Sequence, residues 1–580
     1  MSMIDIKVNG IDITAPAGST ILQAVQMADI PYAEIDIPTL QYLKGVKEAD
    51  ESGVCVVEVV GREGLVPAWS CTIEEGMEIL TETKEAVEAR KNALSRILAV
   101  HDHDCVNCVR TGNCELQFLL NKYDISDPGE RAYKEYLIDD SQIIIQDTNR
   151  CIRCHRCVSM CENIQSIGAL KTDGDGFNAV VFPAEEKGLS ATNCVNCGQC
   201  IEACPTGALR AQDDTDRVFA ALADPDKFVV AQTAPSVRVA LGEAFDFPLG
   251  VDVEGRLAAA LRELGFNKVF DTKFGADLTI VEEAYEFIER LQNGGTLPMI
   301  TSCCPGWIKF CEQEFPDMLQ HLSSCKSPQQ MFGAATKSYY AQKKGINKEN
   351  IVVVSIMPCT AKKFEIGRDD ENGAGVPDVD ISITTRELAR MLIKAEIQFE
   401  AMPFEDFDQP LGLGSGAGVI FGATGGVMEA ALRTASEKLS GEELQSLNFK
   451  EVRGIAGIKE ATYCIKGETL KVAVVSGLGN ARYLLNKVKK GEADYQFIEI
   501  MACPGGCVNG GGQPVQTSGV RVKNDLRAVR GQALYQNDES SAIRKSHENP
   551  AIIEMYDTYL SAPGSEIAHE LLHTTYVKRG

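Results

Sequence analysis

Eight cysteines between residues 151 and 204 have the spacing of iron-sulfur ligands. The segment reads CIRCHRCVSMC and, after a spacer, CVNCGQCIEACP, a doubled C-x2-C-x2-C-x3-C pattern. Three cysteines at this spacing fit one loop around a four-iron cubane, and the fourth typically binds the other cubane. Eight buried or disulfide-bonded cysteines are the weaker interpretation, because no secretory leader is recognised. We therefore predict two 4Fe-4S clusters, held by Cys151, Cys154, Cys157, Cys161, Cys194, Cys197, Cys200 and Cys204.

A third candidate centre precedes this pair, in the segment HDHDCVNCVRTGNC. It offers the ligands His101, Cys105, Cys108 and Cys114, and His103 is an alternative to His101. A neutral imidazole can replace one thiolate of an iron-sulfur cluster. A zinc site with three cysteines and one histidine has the same spacing and stays open at this point.

Three further cysteine segments lie far apart in the second half of the chain. They read TSCCPGW at 301–307, MPCTAKKFE at 357–365 and CPGGC at 503–507. If the loops at one end of an α/β domain meet, then Cys304, Cys359, Cys503 and Cys507 can converge on one more cluster. Cys303 would be left without a ligand role, and a free thiol beside a metal centre is a plausible proton donor.

Three charged residues in DLTIVEEAYEFIERLQ follow helical spacing. Glu283, Glu286 and Arg290 are three and four positions apart, which puts them on one face of a helix. Such a stripe on its own is typical of a solvated surface with a weak ion pair. The residues alone therefore do not favour a function here.

The composition limits the classes of protein to which the chain can belong. The 580 residues include 82 acidic and 57 basic side chains, for a formal charge of −25, which disfavours nucleic acid and anionic membranes as partners. No stretch reaches the ~20 uninterrupted apolar residues of a membrane helix. We expect a cytoplasmic protein of several domains.

The order of elements predicts a multidomain α+β and α/β chain. Residues 1–80 indicate a small, mostly β unit with a hairpin at Asn9-Gly10 and a helix capped by Ser19. Cluster segments follow at 81–125 and 140–215. Apolar strands then alternate with amphipathic helices over 225–520, as in an α/β domain with a largely parallel sheet. Residues 521–580 are expected to be helical.

The distant cysteine segments resemble a known family. TSCCPGW, MPCTAKKFE and MACPGGCVNGGGQP are similar to the three signatures of the iron-iron (FeFe) hydrogenases, and the upstream motifs match the larger members over nearly the whole length. The resemblance implies a reversible hydrogenase, H2 = 2 H+ + 2 e−, that is oxygen-sensitive. It also implies a plant-ferredoxin-like β-grasp unit at 1–80, a two-cubane ferredoxin unit, an H-cluster domain and a small-subunit-like tail.

The resemblance assigns roles around an H-cluster, a cubane joined to a two-iron unit with carbonyl, cyanide and dithiolate ligands. Cys304, Cys359, Cys503 and Cys507 would hold the cubane, with Cys507 bridging the two parts, and Cys303 would relay protons. Glu283, Glu286, Ser323 and Arg290 would carry protons from solvent. The remaining residues near the two-iron unit would be Lys362, which bonds a cyanide, with Pro235, Ser236, Gln329, Met357 and Met501.

The implied electron path runs through three further 4Fe-4S clusters to a ferredoxin or an NAD(P)H-linked reductase subunit. Maturation proteins would supply the two-iron unit. Two other functions remain open at this stage. One is a catalytically silent iron-sulfur assembly or sensory protein. The other is an electron-transfer subunit similar to that of NADH dehydrogenases, which leaves the residues after 227 unexplained.

The first 80 residues depart from the family. Larger members bind a 2Fe-2S cluster through four cysteines, but this chain retains only Cys55 in register, and Cys71 lies two positions beyond the last. The other three positions hold Gln41, Ser52 and Trp69. Two possible thiolates do not make a four-thiolate site. We therefore expect a β unit without its cluster, and Cys55 and Cys71 as ordinary buried thiols.

Overall fold

A computed structural model of the chain describes residues 2–28, 30, 35–126, 138–140, 143–174, 180–185 and 188–579. Most of the stretch between the two predicted cluster segments, 126–139, falls outside these ranges. In the N-terminal unit, five strands form one sheet in the order β2-β1-β5-β3-β4. The strands are β1 (Met3–Val8), β2 (Ile11–Pro16), β3 (Val56–Val59), β4 (Leu65–Pro67) and β5 (Glu78–Leu80).

The predicted hairpin is confirmed. Val8 pairs with Ile11, and both turn residues have positive φ, 50° at Asn9 and 84° at Gly10, as a two-residue turn requires. The following helix, α1 (Ile21–Met27), begins one residue later than Ser19 predicted. Thr20 is the N-cap, because its hydroxyl and the Gln23 side chain form a reciprocal capping box.

The cysteine-rich middle of the chain contains short elements between loops. Two small antiparallel sheets have the orders β10-β7-β6 and β8-β9. Their strands are β6 (Ile138–Asp139), β7 (Ile144–Asp147), β8 (Leu170–Asp173), β9 (Val180–Pro183) and β10 (Leu209–Ala211). The helices are α2 (Lys84–Leu98), α3 (Glu115–Lys122), α4 (Arg156–Ser159), α5 (Gln199–Ala203) and α6 (Thr215–Ala223).

The α/β part contains two four-stranded sheets. The first, β12-β11-β14-β15, is entirely parallel, and the second, β13-β18-β17-β16, is parallel except for the β16–β17 pair. Helices cover both, so the central strands are buried along most of their length. The strands are β11 (Phe228–Thr233), β12 (Lys268–Asp271), β13 (Met299–Ile300), β14 (Ile351–Met357), β15 (Ile381–Thr384), β16 (Ile458–Ile465), β17 (Glu468–Ser476) and β18 (Phe497–Met501).

The helices of this part are mostly short, and the longest, α9, carries the predicted charged stripe. They are α7 (Pro235–Arg238), α8 (Glu254–Glu263), α9 (Lys273–Asn293), α10 (Pro305–Glu314), α11 (Pro328–Ala335), α12 (Ala341–Lys344), α13 (Ala361–Glu365), α14 (Thr385–Lys394), α15 (Gly416–Ile420), α16 (Gly426–Ser440) and α17 (Leu478–Lys489). The tail is helical as predicted, with α18 (Ser518–Lys523), α19 (Leu526–Ser540), α20 (Pro550–Met555) and α21 (Glu566–Leu572). Among the described residues, no helix has the length and apolar character to cross a membrane.

Candidate metal centre

A buried cavity lies at the carboxyl ends of β11, β14 and β18, where parallel strands of both sheets point. Ligand sites of open α/β sheets form at this edge. Five cysteines from the three distant segments line it: Cys303, Cys304, Cys359, Cys503 and Cys507. We call it the five-cysteine cavity. The structure therefore brings together residues that are as many as 204 positions apart in the sequence, from Cys303 to Cys507.

Local structure holds each sulfur in place. Cys303 and Cys304 follow β13, and Pro305 starts α10 immediately afterwards. The backbone N–H of Ala502 donates to the Cys304 sulfur at 3.3 Å, which ties that thiol to the end of β18. The loop carrying Cys507 needs glycine, because Gly506 has a φ of 96° and a side chain there would lie 2.6 Å from the Thr424 nitrogen.

The donor set fits an iron-sulfur group. Burial raises the pKa values of the Cys304, Cys359 and Cys503 thiols above the ordinary value of a cysteine thiol. The binding of a metal must therefore displace the protons of these thiols. The Ser236 hydroxyl lines the same cavity, is buried and has no hydrogen-bond partner within the described chain. A polar ligand in the cavity would satisfy it. The apolar remainder of the wall includes Met357 and Met501.

Lys362 presents a buried positive charge to the cavity. Its ammonium donates to the Ser327 hydroxyl at 2.7 Å, to Glu365 Oε2 at 2.8 Å and to the Cys303 carbonyl at 3.1 Å. Burial lowers the pKa of Lys362, but the Glu365 carboxylate outweighs burial and the net shift is upward. Gln329 donates to the same carboxylate at 2.9 Å. Sequence reasoning missed Glu365 and Ser327, although Glu365 stands three positions after Lys362 on α13.

The charged stripe of α9 is not a solvated surface. Glu283 is 1% exposed, and neither of its carboxylate oxygens has a hydrogen-bond partner among the described residues. Burial, reinforced by the charge of Glu286, raises the pKa of Glu283 to about 8. Burial also raises the pKa of the Cys303 thiol well above 9.0, with Glu283 as the next contributor. Both groups are protonated at neutral pH in the protein alone.

The stripe continues outward through hydrogen bonds. Glu286 accepts from the Ser323 hydroxyl at 2.8 Å and from the backbone N–H of Ser324. Arg290 pairs with Glu286 and donates to the Leu322 carbonyl at 2.7 Å. The side chains of Glu286 and Arg290 are 13% and 16% exposed, so this end reaches solvent. Exposure therefore increases along this face of α9, from the buried Glu283 to Glu286 and Arg290.

The two-cubane segment forms two separate thiol cavities. One is lined by Cys151, Cys154, Cys157 and Cys204, and the other by Cys161, Cys194, Cys197 and Cys200. The fourth cysteine of each run therefore crosses to the other group, as the spacing predicts. Each set contains four thiols, which is the ligand number of a cubane.

These cavities form a row toward the five-cysteine cavity. A side chain built on Gly198 would lie 2.5 Å from the Thr360 hydroxyl, so the Cys197–Cys200 loop abuts the loop of Cys359. At the other end, a side chain on Gly207 would lie 2.7 Å from the Cys108 sulfur. The row therefore runs from the Cys108 loop, through both cubane sites, to Cys359.

The histidine-containing site fits a metal ligand at His101. Its Nδ1 is buried without a hydrogen-bond partner in the described ranges. Burial lowers the pKa of His101 to about 4, so the imidazole is neutral and able to bind metal. Cys105, Cys108 and Cys114 are all partly exposed, whereas half of the cubane cysteines are buried, so this centre is nearer to solvent.

The N-terminal unit holds no comparable set of thiols among its described residues. Asp50, 2% exposed, accepts from the backbone N–H groups of Leu40 and Gln41 at 2.6 and 2.9 Å and from Ser52, through its N–H at 3.2 Å and its hydroxyl. We call residues 40–54, held by this carboxylate, the Asp50 loop. The Gln41 side chain also accepts from the Glu51 N–H at 3.2 Å.

Two of the three positions at which the resemblance implies a cysteine take part in hydrogen bonds instead. Gln41 and Ser52 both bond within the Asp50 loop, and Trp69 is only partly buried. Cys55 is fully buried, as expected. The expectation that Cys71 is buried is wrong, because it is partly exposed and accepts from Arg62 at 3.5 Å. These residues do not fit a four-thiolate cluster.

The side chain of Arg156 connects the two-cubane segment to α3 and to the Asp50 loop. Its guanidinium forms a bidentate pair with Glu115, with both contacts at 2.9 Å, and donates to the Gln41 carbonyl at 3.3 Å. Glu115 also accepts from the Ser518 hydroxyl at 2.9 Å. Burial raises the pKa of Glu115, but the interactions with Arg156 and Ser518 lower it by a larger amount. The net shift of this pKa is therefore downward.

Five family models match consecutive parts of the chain. The longest match, over 227–511, is to the iron only hydrogenase large subunit, C-terminal domain. The others are a 2Fe-2S iron-sulfur cluster binding domain (1–84), an NADH-ubiquinone oxidoreductase-G iron-sulfur binding region (90–128), a 4Fe-4S dicluster domain (150–214) and the iron hydrogenase small subunit (524–579).

Known proteins match at full length. The NADP-reducing hydrogenase subunit HndD of Solidesulfovibrio fructosivorans is 49% identical, with 100% of both chains covered. Iron hydrogenase 1 of Clostridium pasteurianum is 43% identical over 99% of this chain and 100% of its own. Among solved structures, an apo variant of the [FeFe]-hydrogenase HydA1 from Chlamydomonas reinhardtii is 46% identical with a TM-score of 0.57, covering 64% of this chain and 100% of its own.

Proposed function

The chain belongs to the FeFe hydrogenases, and from that premise we propose that it interconverts dihydrogen with protons and electrons in both directions. One observation carries the proposal. Cys303 shares a buried cavity with four other cysteines and has the buried acid Glu283 beside it. A protein that only stored or transferred clusters would have no use for a fifth thiol and a buried acid at this point.

We propose that Cys304, Cys359, Cys503 and Cys507 would hold an H-cluster in this cavity. That group, when bound, supplies the cleavage and formation of the H–H bond. The residues of the chain exclude water from the site and provide a positive charge at a fixed position. Lys362 faces the cavity as a cation held by Glu365, Ser236 offers a free hydroxyl, and Pro235, Gln329, Met357 and Met501 line the same wall.

Protons would move along α9. Cys303 would exchange a proton with Glu283, whose pKa of about 8 suits giving and regaining it near neutrality. Glu286 and Ser323, already hydrogen-bonded at 2.8 Å, would pass the proton outward to the rim at Arg290.

Electrons would move one at a time along the row of thiol sites. They would pass from the five-cysteine cavity to the cavity lined by Cys161, Cys194, Cys197 and Cys200, and then to the cavity lined by Cys151, Cys154, Cys157 and Cys204. The last step would lead to the centre at His101, which is nearest to solvent. We propose 4Fe-4S clusters at these three sites and none in the N-terminal unit. The Asp50 loop supports the last point, because it uses Gln41 and Ser52 for hydrogen bonds.

The redox partner would be a ferredoxin or an NAD(P)H-linked reductase subunit. The full-length similarity to a subunit of an NADP-reducing hydrogenase supports the second of these. Maturation proteins would supply the two-iron unit. The cytoplasmic location expected from the sequence stays a prediction.

An assay of the matured full-length chain tests the proposal. We expect hydrogen evolution with a reduced dye and hydrogen uptake with an oxidised one, together with infrared bands of iron-bound carbonyl and cyanide. Bands without turnover would leave the cavity assignment standing and overturn the catalytic one. No bands after maturation with a competent maturation system would overturn both.

A further inference from the structure

Lys309 is a buried lysine without an anionic partner. It lies on α10, in the turn that follows Cys304, and is 8% exposed. Its ammonium lies 4.7 Å from the centre of the Phe364 ring and forms no hydrogen bond or ion pair among the described residues. An aromatic ring attracts a cation but does not neutralise it. Burying a charge without a counter-ion is costly, and buried charges in proteins are normally paired.

The next acid along α10 is already shared by two other cations. Glu312 accepts from Arg368 at 3.0 Å and also pairs with Arg579. Its single negative charge therefore faces two guanidinium groups before Lys309 is counted. The positive charge of Lys309 is left uncompensated within the described chain.

The face of α10 that carries Lys309 packs against one of the two cubane cavities. A side chain built on Gly306, one turn before Lys309 on the same face, would lie 3.8 Å from Cys197 Cβ. Further along the helix, Glu314 accepts from the Asn193 side chain at 2.9 Å. Lys309 therefore lies between two contacts that hold α10 against the loop of Cys197. We call the cavity lined by Cys161, Cys194, Cys197 and Cys200 the inner cubane site.

The electrostatics agree with this placement. Burial lowers the pKa of Lys309, and the Cys194 thiolate is the charge that opposes this effect most. Burial raises the pKa of the Cys194 thiol to about 11, and the charge of Lys309 acts in the opposite direction. A cubane with four thiolate ligands has a net negative charge. Such a group at the inner cubane site would supply the anion that Lys309 lacks.

We propose that Lys309 raises the reduction potential of the 4Fe-4S cluster at the inner cubane site. Its positive charge would stabilise the reduced cluster, which is the more negative form. Removal of this charge would change the equilibrium constant of reduction by about tenfold, or 59 mV for a one-electron couple. The inference rests on the proposed electron path. In that path this cluster receives electrons directly from the five-cysteine cavity, so Lys309 would favour their outward passage.

A redox titration followed by electron paramagnetic resonance tests the proposal on the iron-loaded, full-length chain without the two-iron unit. Cys194→Ser alters one ligand of the inner cubane site and so identifies the transition that belongs to it. We expect Lys309→Met to move that transition to lower potential by about tenfold in equilibrium constant, or 59 mV, and to leave the others in place. Lys309→Gln, a second neutral variant, should give the same shift, and Lys309→Arg should keep the parent potential.

Lys344→Met is the matched control. This exposed lysine also lies over an aromatic ring, that of Tyr340, at 5.9 Å, and its loss should move no transition. Far-ultraviolet circular dichroism and iron content equal to the parent chain would verify that each variant folds and is loaded.

Two results would overturn the role of Lys309 and leave the cluster assignment standing. One is an unmoved transition in both neutral variants. The other is an equal shift in Lys309→Arg, because charge would then not be its cause. A parent chain without any transition that responds to Cys194→Ser would overturn the proposed electron path and this inference together.

Discussion

The five-cysteine cavity and the Asp50 loop differ in how many cysteines they contain and in how their polar groups are hydrogen-bonded. In the cavity, five cysteines from three distant segments face one space. In the N-terminal unit, Cys55 alone holds a cysteine among the four positions at which the resemblance implies one, and Asp50 accepts from backbone N–H groups of the loop. The Ser236 hydroxyl in the cavity has no hydrogen-bond partner among the described residues, whereas the buried Asp50 carboxylate accepts from several donors.

This comparison distinguishes a cluster that organises a loop and relays electrons from a cluster that performs chemistry. A cluster that organises a loop and relays electrons can be replaced structurally by one carboxylate with several donors, because such charge-assisted bonds are among the stronger ones in proteins. A cluster that performs chemistry has no such substitute. The cavity region accordingly retains unsatisfied groups, Glu283 and Ser236, whereas Asp50, Gln41 and Ser52 are all hydrogen-bonded.

The largest effect is expected at the fifth sulfur. Cys303→Ala should lower hydrogen turnover by about 10²- to 10⁴-fold, the range of a lost general acid or base, while the infrared bands of the matured cluster persist. Cys464→Ala, at an exposed thiol, should change neither. If Cys303→Ala also abolished the bands, the residue would be a ligand and the contrast would fail.

The buried acid should matter nearly as much. Glu283→Gln should lower turnover by about 10²-fold because the amide cannot carry a proton between Cys303 and Glu286. Glu289→Gln changes an exposed glutamate on the same helix and should leave turnover intact. Equal rates for the two variants would contradict the proton path.

The pKa of Glu283 adds a test by pH. The folded chain keeps this proton up to about pH 8, and an ordinary carboxyl releases it near pH 4.5, so Glu283 lowers folding stability progressively between these values. Glu283→Gln removes that penalty. We expect the thermal midpoint of the variant to gain on the parent chain from about pH 4.5 to about pH 8 and then to keep a constant lead. A pH-independent difference would mean that the group is not buried as a neutral acid.

A smaller, local effect is expected in the N-terminal unit. Asp50→Asn removes the charged acceptor of the Asp50 loop and should destabilise it by about 2–3 kcal/mol. Faster amide hydrogen exchange at residues 40–54, measured by mass spectrometry, checks this. Asp12→Asn, at a side chain 86% exposed, is the control. Iron content and turnover should stay unchanged, and a loss of iron would reveal a cluster in this unit.

The smallest effect on turnover should come from restoring the missing cysteines. The combined variant Q41C, S52C and W69C would give the unit four thiols with Cys55. We expect about two more irons per chain and a 2Fe-2S signal on reduction, because four thiolates are the ligand set of that cluster. Turnover with dyes that reduce the His101 centre should be unaltered. The same signal in the parent chain would contradict the replacement of the cluster by hydrogen bonds.

Local spacing allowed much of this to be predicted. The cysteine runs at 151–161 and 194–204 specified two groups of four, and the ends of parallel strands specified where the distant segments meet. Helical spacing put Glu283 and Glu286 on one face but gave no sign of burial. The burial of Glu283 depends on the packing of α11, α16 and the tail against α9, which the sequence of α9 does not contain.

Long-range polar contacts could not be predicted. Glu115 is a charged residue at the start of a short helix, yet it is buried by Arg156 from 41 residues later and Ser518 from 403 residues later. Asp50 has the sequence context of a loop residue, and its role depends on four backbone donors whose direction only the fold fixes. The one-residue shift of the first cap from Ser19 to Thr20 has a simpler cause, since Gln23 completes a capping box only with Thr20.

An iron-edge anomalous difference map of the matured full-length chain would show where iron binds. We predict iron within bonding distance of Cys304, Cys359, Cys503 and Cys507, none bonded to Cys303, and none in the Asp50 loop. Iron bonded to Cys303, or four sulfurs scattered away from a common centre, would contradict the account.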